Sequence, residues 1–588
     1  MPSPSSIQDL DLSPLPGKSY FNTDREWREE FIYFLMVDRF QDSTNRAPID
    51  QPGRSIGIKA GDTFYGGTIK GVALHLDYIA GLGCTAIWLS PVFLNTDDGY
   101  HGYHIRNYLD IDPHFGTKDD LVQLVEAAHS YQKNGQPFPI RIILDVVINH
   151  SGDNWFYQFE NLPGTQPYMY WKDTQYPFGD WRNTQYPVPS ELRDTNLYHR
   201  MGNITDSGYD RSPENLHGDL VGLKDYNNED SPEGSALVNI LIKAHCYWIR
   251  EADIDGFRID AVKHMGALAC AWFCSNIREY AYTLGKKNFF LFGELATPDD
   301  DIYNRYIGPN TSVQDGGDTV YFGIDSLLDF RLAEGAGGEN IGSGFSAGGL
   351  RGVITGTSDP STLFNRLASQ QYQALNRGEM GRYLVSFVDN HDSFWQPGGR
   401  IGALANDAQV IAAVGFLLCA LGTPCIYYAT EQGFSGRGGD SDIREAMYDA
   451  NNPAAASLLN TGCHIYQAIA QIAAVVQAQP PLRFGRMYYR PIASNPPTDP
   501  NGHDFGLPYG SDYTLAFSRM LYGREVLVAY NVSRLSRKDY VVIDNSYHQP
   551  GDSLTFLYGK AGTTPVHRIG ATAYVQLELD PFQWVILA

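Results

Sequence analysis

The chain has 588 residues, of which 43% are hydrophobic and 13% aromatic, enough for several packed units and inconsistent with a disordered or fibrous protein. Its 44 basic against 67 acidic residues leave a net charge of -23, which repels phosphate backbones and anionic lipid, so neither nucleic acid nor membrane is an expected partner. The 38 tyrosines offer flat, half-apolar faces of the kind that stack on sugar rings.

The opening "MPSPSSIQDLDLSPLPGKSY" has neither a basic start nor an apolar stretch, which carries the expectation of a cytoplasmic protein, or a secreted one if a leader has been trimmed. Short apolar runs then recur along the chain: "FIYFLMV", "CTAIWLS", "IRIILDVVI", "IDGFRI", "NFFLFG", "TVYFGI", "RYLVSFV" and "TPCIYYA". Amphipathic segments separate several of them, among them "TKDDLVQLVEAAHSY" from Thr117 and "NDAQVIAAVGFLLCAL" from Asn406, so the pattern is strand, helix, strand. Eight such units predict an α/β fold, a (β/α)8 TIM barrel, with the active site at the C-terminal ends of its strands.

Two connections are too long for ordinary loops. Residues 151–235, rich in Trp, Tyr, Pro and Asn, predict a subdomain inserted after the third strand, and the glycine-rich residues 331–362 predict a mobile loop over the site. Beyond residue 480 the alternating runs "YTLAFSRM", "EVLVAYNV", "DYVVI" and "AYVQLEL" predict a C-terminal antiparallel β-sandwich over 481–588, leaving 1–150 and 236–480 for the barrel. The seven cysteines are odd in number and lie mostly in apolar runs, which predicts buried thiols; Cys270 and Cys274, one helical turn apart, lack the further ligands a metal pair would need.

Chemistry concentrates where polar residues end the apolar runs. In "DGFRIDAVKH" Arg258 and Asp260 share one face of a strand by its two-residue period. Glu294 follows "LFG" and Asp392 closes "FVDNHD", so three carboxylates stand at three strand ends. Hydrolysis of an acetal requires one carboxylate to attack or stabilise the anomeric carbon and a second, protonated, to release the leaving oxygen. Arg258 is expected to hold Asp260 as the anion, while the apolar strand before Glu294 should raise its pKa.

These segments resemble the signatures of the α-amylase superfamily, glycoside hydrolase family 13: "DVVINH", "GFRIDAVKH", "GEL" and "FVDNHD" look like its four, in order. The resemblance implies a retaining α-glucan hydrolase that cleaves α-1,4 bonds of starch or maltooligosaccharides, or a glucanotransferase using the same covalent intermediate. Carried over, Asp260 is the nucleophile, Glu294 the general acid and base, and Asp392 the carboxylate that binds and distorts the sugar, with Arg258, His150 and His391 beside them. "DGYHGYH" is similar to the loop that supplies Tyr103 as a stacking platform and His101 near it, although His104 departs from the tryptophan common there. "GGDSDIRE" nominates Asp440 and Arg444 for more distant donor sugars, and Lys263 with His264 would meet the acceptor side.

The resemblance also implies a structural calcium, with Asn149, Asp225 and the backbone carbonyl of His264 as its ligands; oxygen donors of this kind suit that ion. Lys224 stands where relatives carry an uncharged residue, and an ammonium at that place is expected to weaken binding. A second calcium is suggested only by Asp42 and Asn45, with Thr68 in place of a helpful aspartate.

Overall fold

Apolar segments buried on both faces cannot sit at the edge of a sheet, and here they close on one another. In the computed structural model the barrel strands are β1 (Ile32–Leu35), β2 (Ala86–Leu89), β3 (Arg141–Val146), β4 (Gly256–Ile259), β5 (Phe290–Gly293), β6 (Ser326–Leu327), β7 (Val385–Ser386) and β8 (Thr423–Tyr427). The structure describes all residues except 1–3, 5, 160–165, 172–173, 185–187, 230, 298–299, 308–310, 313–319, 322, 335–347, 372–373, 376–377 and 394–398. The strands are parallel and hydrogen-bonded in the order β6-β5-β4-β3-β2-β1-β8-β7. A parallel bridge between Leu328 and Val385 joins the two ends, with the Asp329 N–H donating to the Val385 carbonyl at 2.9 Å.

One strand departs from expectation. "TVYFGI" does not enter the barrel: Val320–Tyr321 pairs antiparallel with Thr311–Ser312, and the sixth place is taken by Ser326–Leu327 a few residues on. Ser326–Leu327 lies in "IDSLLDF", which Asp325, Ser326 and Asp329 interrupt, so the longer apolar run nearby captured the prediction.

Three of the helices outside the ring begin at side-chain caps. Thr117 and Asp120 form a reciprocal capping box at α1 (Lys118–His129), and Ser231 caps α2 (Pro232–Ala252), whose first residue is a proline. After α3 (Ala267–Thr283), Asn406 and Gln409 form a second box at α4 (Asp407–Cys419), and α5 (His464–Ala478) packs against it. Among the described residues no helix is long and apolar enough to cross a membrane. All seven cysteines are buried and free.

Among the described residues between β3 and α2 there is little regular structure. Trp155–Tyr157 pairs with Phe178–Trp181, and His150–Ser151 pairs antiparallel with Lys224–Asp225, which returns the end of this excursion to its start beside β3. The expected mobile loop at 331–362 begins and ends in helices, Phe330–Glu334 and Gly349–Thr355, and its residues 335–347 lie outside the described ones.

The C-terminal strands form one continuous ladder of nine. Its two outermost strands, Arg486–Tyr489 and Ile492–Ala493, are consecutive in the chain, so the ladder must curl until its ends meet. Arg519 pins this domain to the barrel. Its buried guanidinium donates to the carbonyls of Cys419 (2.7 Å) and Ala420 at the end of α4, and to Gly485 (3.0 Å). Those are orphan carbonyls of a helix terminus, satisfied by a cation from another domain. Burial lowers the pKa of Arg519 to about 9.

Arg519→Ala would strand these carbonyls, at roughly 1–3 kcal/mol for each buried group left unsatisfied. A thermal melt should show a transition lowered by several degrees with activity at 25 °C preserved; an unchanged melting temperature would show that the two domains do not depend on this contact.

Candidate active site

The site grows from the register of three adjacent strands. β4 lies between β3 and β5, with Arg258 level with Asp145 on one side and Phe292 on the other. Arg258 is completely buried, so every polar atom around it must come from protein. Its Nη1 donates to both oxygens of Asp145 (2.9 and 3.0 Å) and to Asp260 Oδ1 (2.7 Å), while Nη2 donates to Glu294 Oε2 (2.7 Å). Just past β4, Ala261 takes a left-handed backbone (φ 50°) and its N–H donates to the same Glu294 oxygen at 3.2 Å.

Asp145 is the best satisfied of the three acids, because it also accepts from Trp88 Nε1 (3.0 Å) and the Tyr103 hydroxyl (2.8 Å). Burial, opposed by Arg258 and these donors, nevertheless raises its pKa to about 6. Asp260 is also raised well above the usual carboxylate range, first by burial and then by the like charges of Glu294 and Asp145 against the pull of Arg258. Arg258 therefore does not serve Asp260 alone, as the sequence led us to expect. One cation shared among three acids leaves Asp145 and Asp260 harder to ionise than isolated carboxylates.

Asp392 approaches from beyond β7. Arg444 Nη2 donates to its Oδ1 at 3.0 Å, and its Oδ2 lies 3.2 Å from His391 Nε2. Arg444 also donates to the His391 carbonyl, to the Tyr100 hydroxyl and to Asp440 Oδ2, each at 3.1 Å. Asp440 and Arg444 thus form an ion pair that positions Asp392. The Tyr103 ring is stacked on His391 at 5.2 Å between centroids.

These groups border one cavity of about 290 Å³, lined by His101, Tyr103, His150, Asp260, Lys263, His264, Glu294, His391, Asp392, Asp440 and Arg444 among others. The structure thereby brings together every sequence-nominated site residue except Arg258, which lies behind Asp260, and the metal candidates Asn149 and Asp225. Burial lowers the pKa of His150 to about 3 and of His264 to about 4, and holds His391 and His101 well below the usual value, so these imidazoles are neutral. His150 Nε2 and His391 Nδ1 are buried with no hydrogen-bond partner. Lys263 is ion-paired to Asp210 of the excursion, and His264 Nδ1 lies 2.8 Å from the Asn215 carbonyl. His104 lines the cavity edge-on to His101.

Asp145 was not singled out from the sequence. Its signal is there: an acid in the middle of six consecutive buried strand residues has to have a partner. Glu334 is likewise a buried acid in the cavity wall, raised by burial to about 8, and nothing in its glycine-rich neighbourhood marks it out.

Behind the cavity, Asn149 Nδ2 lies 3.5 Å from Asp225 Oδ1. Burial, with the like charges of Asp219 and Glu229, raises the pKa of Asp225 well above the usual range. A buried acid beside further acids and a carboxamide fits a hard cation. Lys224 is not in its way: adjacent strand residues face opposite sides, and its ammonium is paired to Asp153 (3.1 Å) and Asp219 (3.6 Å) over the rings of Trp155 and Tyr157. The suggested second calcium place is filled from within the chain, since Asp42 accepts from Arg46 Nη2 at 2.7 Å and Thr68 caps a helix by accepting from the Gly71 N–H.

A parallel eight-stranded barrel with a guanidinium clamping acids at its strand ends defines a class of barrel enzyme, and comparison with known proteins narrows it. Residues 34–312 match the family model for the α-amylase catalytic domain. The α-amylase of Streptomyces lividans is 30% identical over 484 residues, 72% of this chain and 47% of that protein. The cyclomaltodextrin glucanotransferase of Klebsiella oxytoca is 27% identical over 429 residues, 69% of this chain and 58% of that one. This chain thus spans about half the length of these curated relatives. The crystal structure of an α-amylase from Geobacillus thermoleovorans, complexed with acarbose, superposes with a TM-score of 0.66 at 25% identity, over 96% of this chain and 99% of that one. The chain belongs to the α-amylase superfamily.

A shared clamp should tolerate no substitute of equal charge. A single ammonium cannot reproduce the planar fork that meets three carboxylates, so Arg258→Lys should lower catalytic activity about 10²–10³-fold. Activity near that of the unaltered protein would show that charge alone, without the fork, organises the site.

Proposed function

We propose that this protein is a retaining α-glucan hydrolase that cleaves α-1,4-glucosidic bonds of starch or maltooligosaccharides. The observation that carries this reading is the grip of Arg258 on Asp260 and Glu294 through its two terminal nitrogens, at the wall of a cavity bordered by an aromatic ring and neutral imidazoles. Two carboxyl groups held so near one another suit the roughly 5–5.5 Å separation of retaining enzymes, which leaves no room for a water between nucleophile and sugar.

In this reading the Asp260 carboxylate attacks the anomeric carbon from one face while Glu294 delivers its proton to the departing glycosidic oxygen, forming a glycosyl ester. Glu294, now ionised, takes a proton from water as that water attacks the same carbon, and Asp260 leaves. Arg258 stays with both acids throughout, so negative charge can pass between them with little rearrangement. Asp392, held by Arg444, accepts from sugar hydroxyls, and the imidazoles of His150 and His391 border the same cavity. Tyr103 offers the stacking face. Asn149, Asp225 and the His264 carbonyl would hold a structural calcium, which ties the excursion to the barrel beside β3.

A glucanotransferase is the second reading, favoured by the apolar side chains Leu220, Val221, Leu223 and Phe330 in the cavity lining, which would disfavour water relative to a sugar acceptor. Profiling products from starch, pullulan and cyclodextrins separates the two.

Proton NMR of the first product from an α-linked glucan should show the α-anomer, and a β-anomer appearing first would overturn the double displacement. Glu294→Gln should lose far more activity on natural glucans than on activated aryl glycosides, which need little proton donation; equal losses would remove Glu294 from the acid role. Exhaustive chelation should lower the melting temperature and added calcium restore it, since an ion bound only to the folded state stabilises it. No change in melting would argue that Asn149 and Asp225 serve a metal-free contact.

A further inference from the structure

The excursion between β3 and α2 contains a second group of ligands that the reaction does not use. His199 follows Tyr198, which bridges to Tyr226; His217 ends the short helix Glu214–His217; and Glu229 precedes α2. One ligand atom from each of these three side chains falls within 4.8 Å of the others. The two imidazole rings lie 4.5 Å apart between centroids, and His217 Nε2 is hydrogen-bonded to Glu229 Oε1.

His199 shows what the group is for. It is 6% exposed, its Nδ1 lies 2.6 Å from Asp225 Oδ2, and its Nε2 is buried with no hydrogen-bond partner. An imidazole with one nitrogen fixed by a carboxylate and the other buried without a partner, beside a histidine and a glutamate, has the arrangement of a metal-binding histidine with its outer partner. Two nitrogens and one carboxylate oxygen suit a borderline cation, and zinc with a water in its fourth place takes such a set at about 2.0–2.2 Å from each ligand. Calcium, which takes six to eight oxygens, does not.

We propose that His199, His217 and Glu229 bind a zinc-class divalent cation, with Asp225 as the outer partner that orients His199. Asp225 then faces two ways, Oδ1 toward Asn149 at the hard-cation place and Oδ2 toward His199. The ion would tie together three separate stretches of the excursion. One of them reaches the cavity, because the Asn215 carbonyl, two residues before His217, is the partner of His264.

The test uses the whole chain, stripped by chelation and resupplied with calcium so that an oxygen site is filled before zinc is added. Calorimetric titration with Zn²⁺ should then show one equivalent bound, with a raised melting temperature, and Co²⁺ should give the visible absorption of a four- or five-coordinate nitrogen-ligated ion. His217→Ala and Glu229→Gln should each weaken zinc by at least the ten- to hundredfold typical of losing even an outer partner, about the lower bound for a direct ligand. Asn149→Ala should leave the zinc titration intact while weakening calcium. Glu229 is exposed at the surface, so its replacement keeps the test valid if His217→Ala fails to fold. Failure of zinc to bind above calcium, or binding that both substitutions leave unchanged, would overturn the site.

Discussion

A single guanidinium sits at the centre of the site, and much of the surrounding architecture follows from keeping it there. Arg258 is fully buried, and an unpaired buried cation would be prohibitive, so the strands on either side supply Asp145 and Glu294 in addition to its near neighbour Asp260. The resulting excess of acid over base is not an accident of packing. It leaves Asp145 and Asp260 harder to ionise than an isolated carboxylate. Asp145 takes the structural share of that burden, being held by Trp88 and Tyr103 as well, and frees the other two acids to face the cavity.

The second constraint is the return of the excursion to β3. Asp225 lies opposite His150 in a two-residue ladder, so the same short pairing that places an imidazole in the cavity wall places a carboxylate behind it. From there the contacts run in two directions: to Asn149 and the oxygen-rich place, and to His199 with His217 and Glu229. Because this segment has little regular secondary structure of its own, its shape depends on such polar anchors more than on backbone ladders.

The barrel's rim is completed from other directions by the same device of sharing one cation among several partners. Arg444 joins Asp392, Asp440, Tyr100 and the His391 carbonyl, and Arg519 joins the C-terminal ladder to the end of α4. In each case a planar fork of donors links elements far apart in the chain, which a lysine's point charge could not do.

Seven of the eight barrel strands are legible as apolar runs, because a strand buried on both faces has to be apolar along its length. The sixth is not, since Asp325, Ser326 and Asp329 break up its surroundings and a longer apolar run nearby mimics it. The acids at strand ends are legible too: Asp260, Glu294 and Asp392 each interrupt an apolar run, and local pattern alone marks them. The sequence by itself thus determined the alternation of strands and helices, the superfamily, and which carboxylates follow the apolar runs. Only the tertiary structure decided how charge is distributed among them. That Arg258 is shared by three acids, that Lys224 turns away from Asp225, and that His199, His217 and Glu229 meet at all depend on separations in space between residues distant in the chain. Electrostatic energy follows those distances and the local burial, and neither is written in the order of the residues.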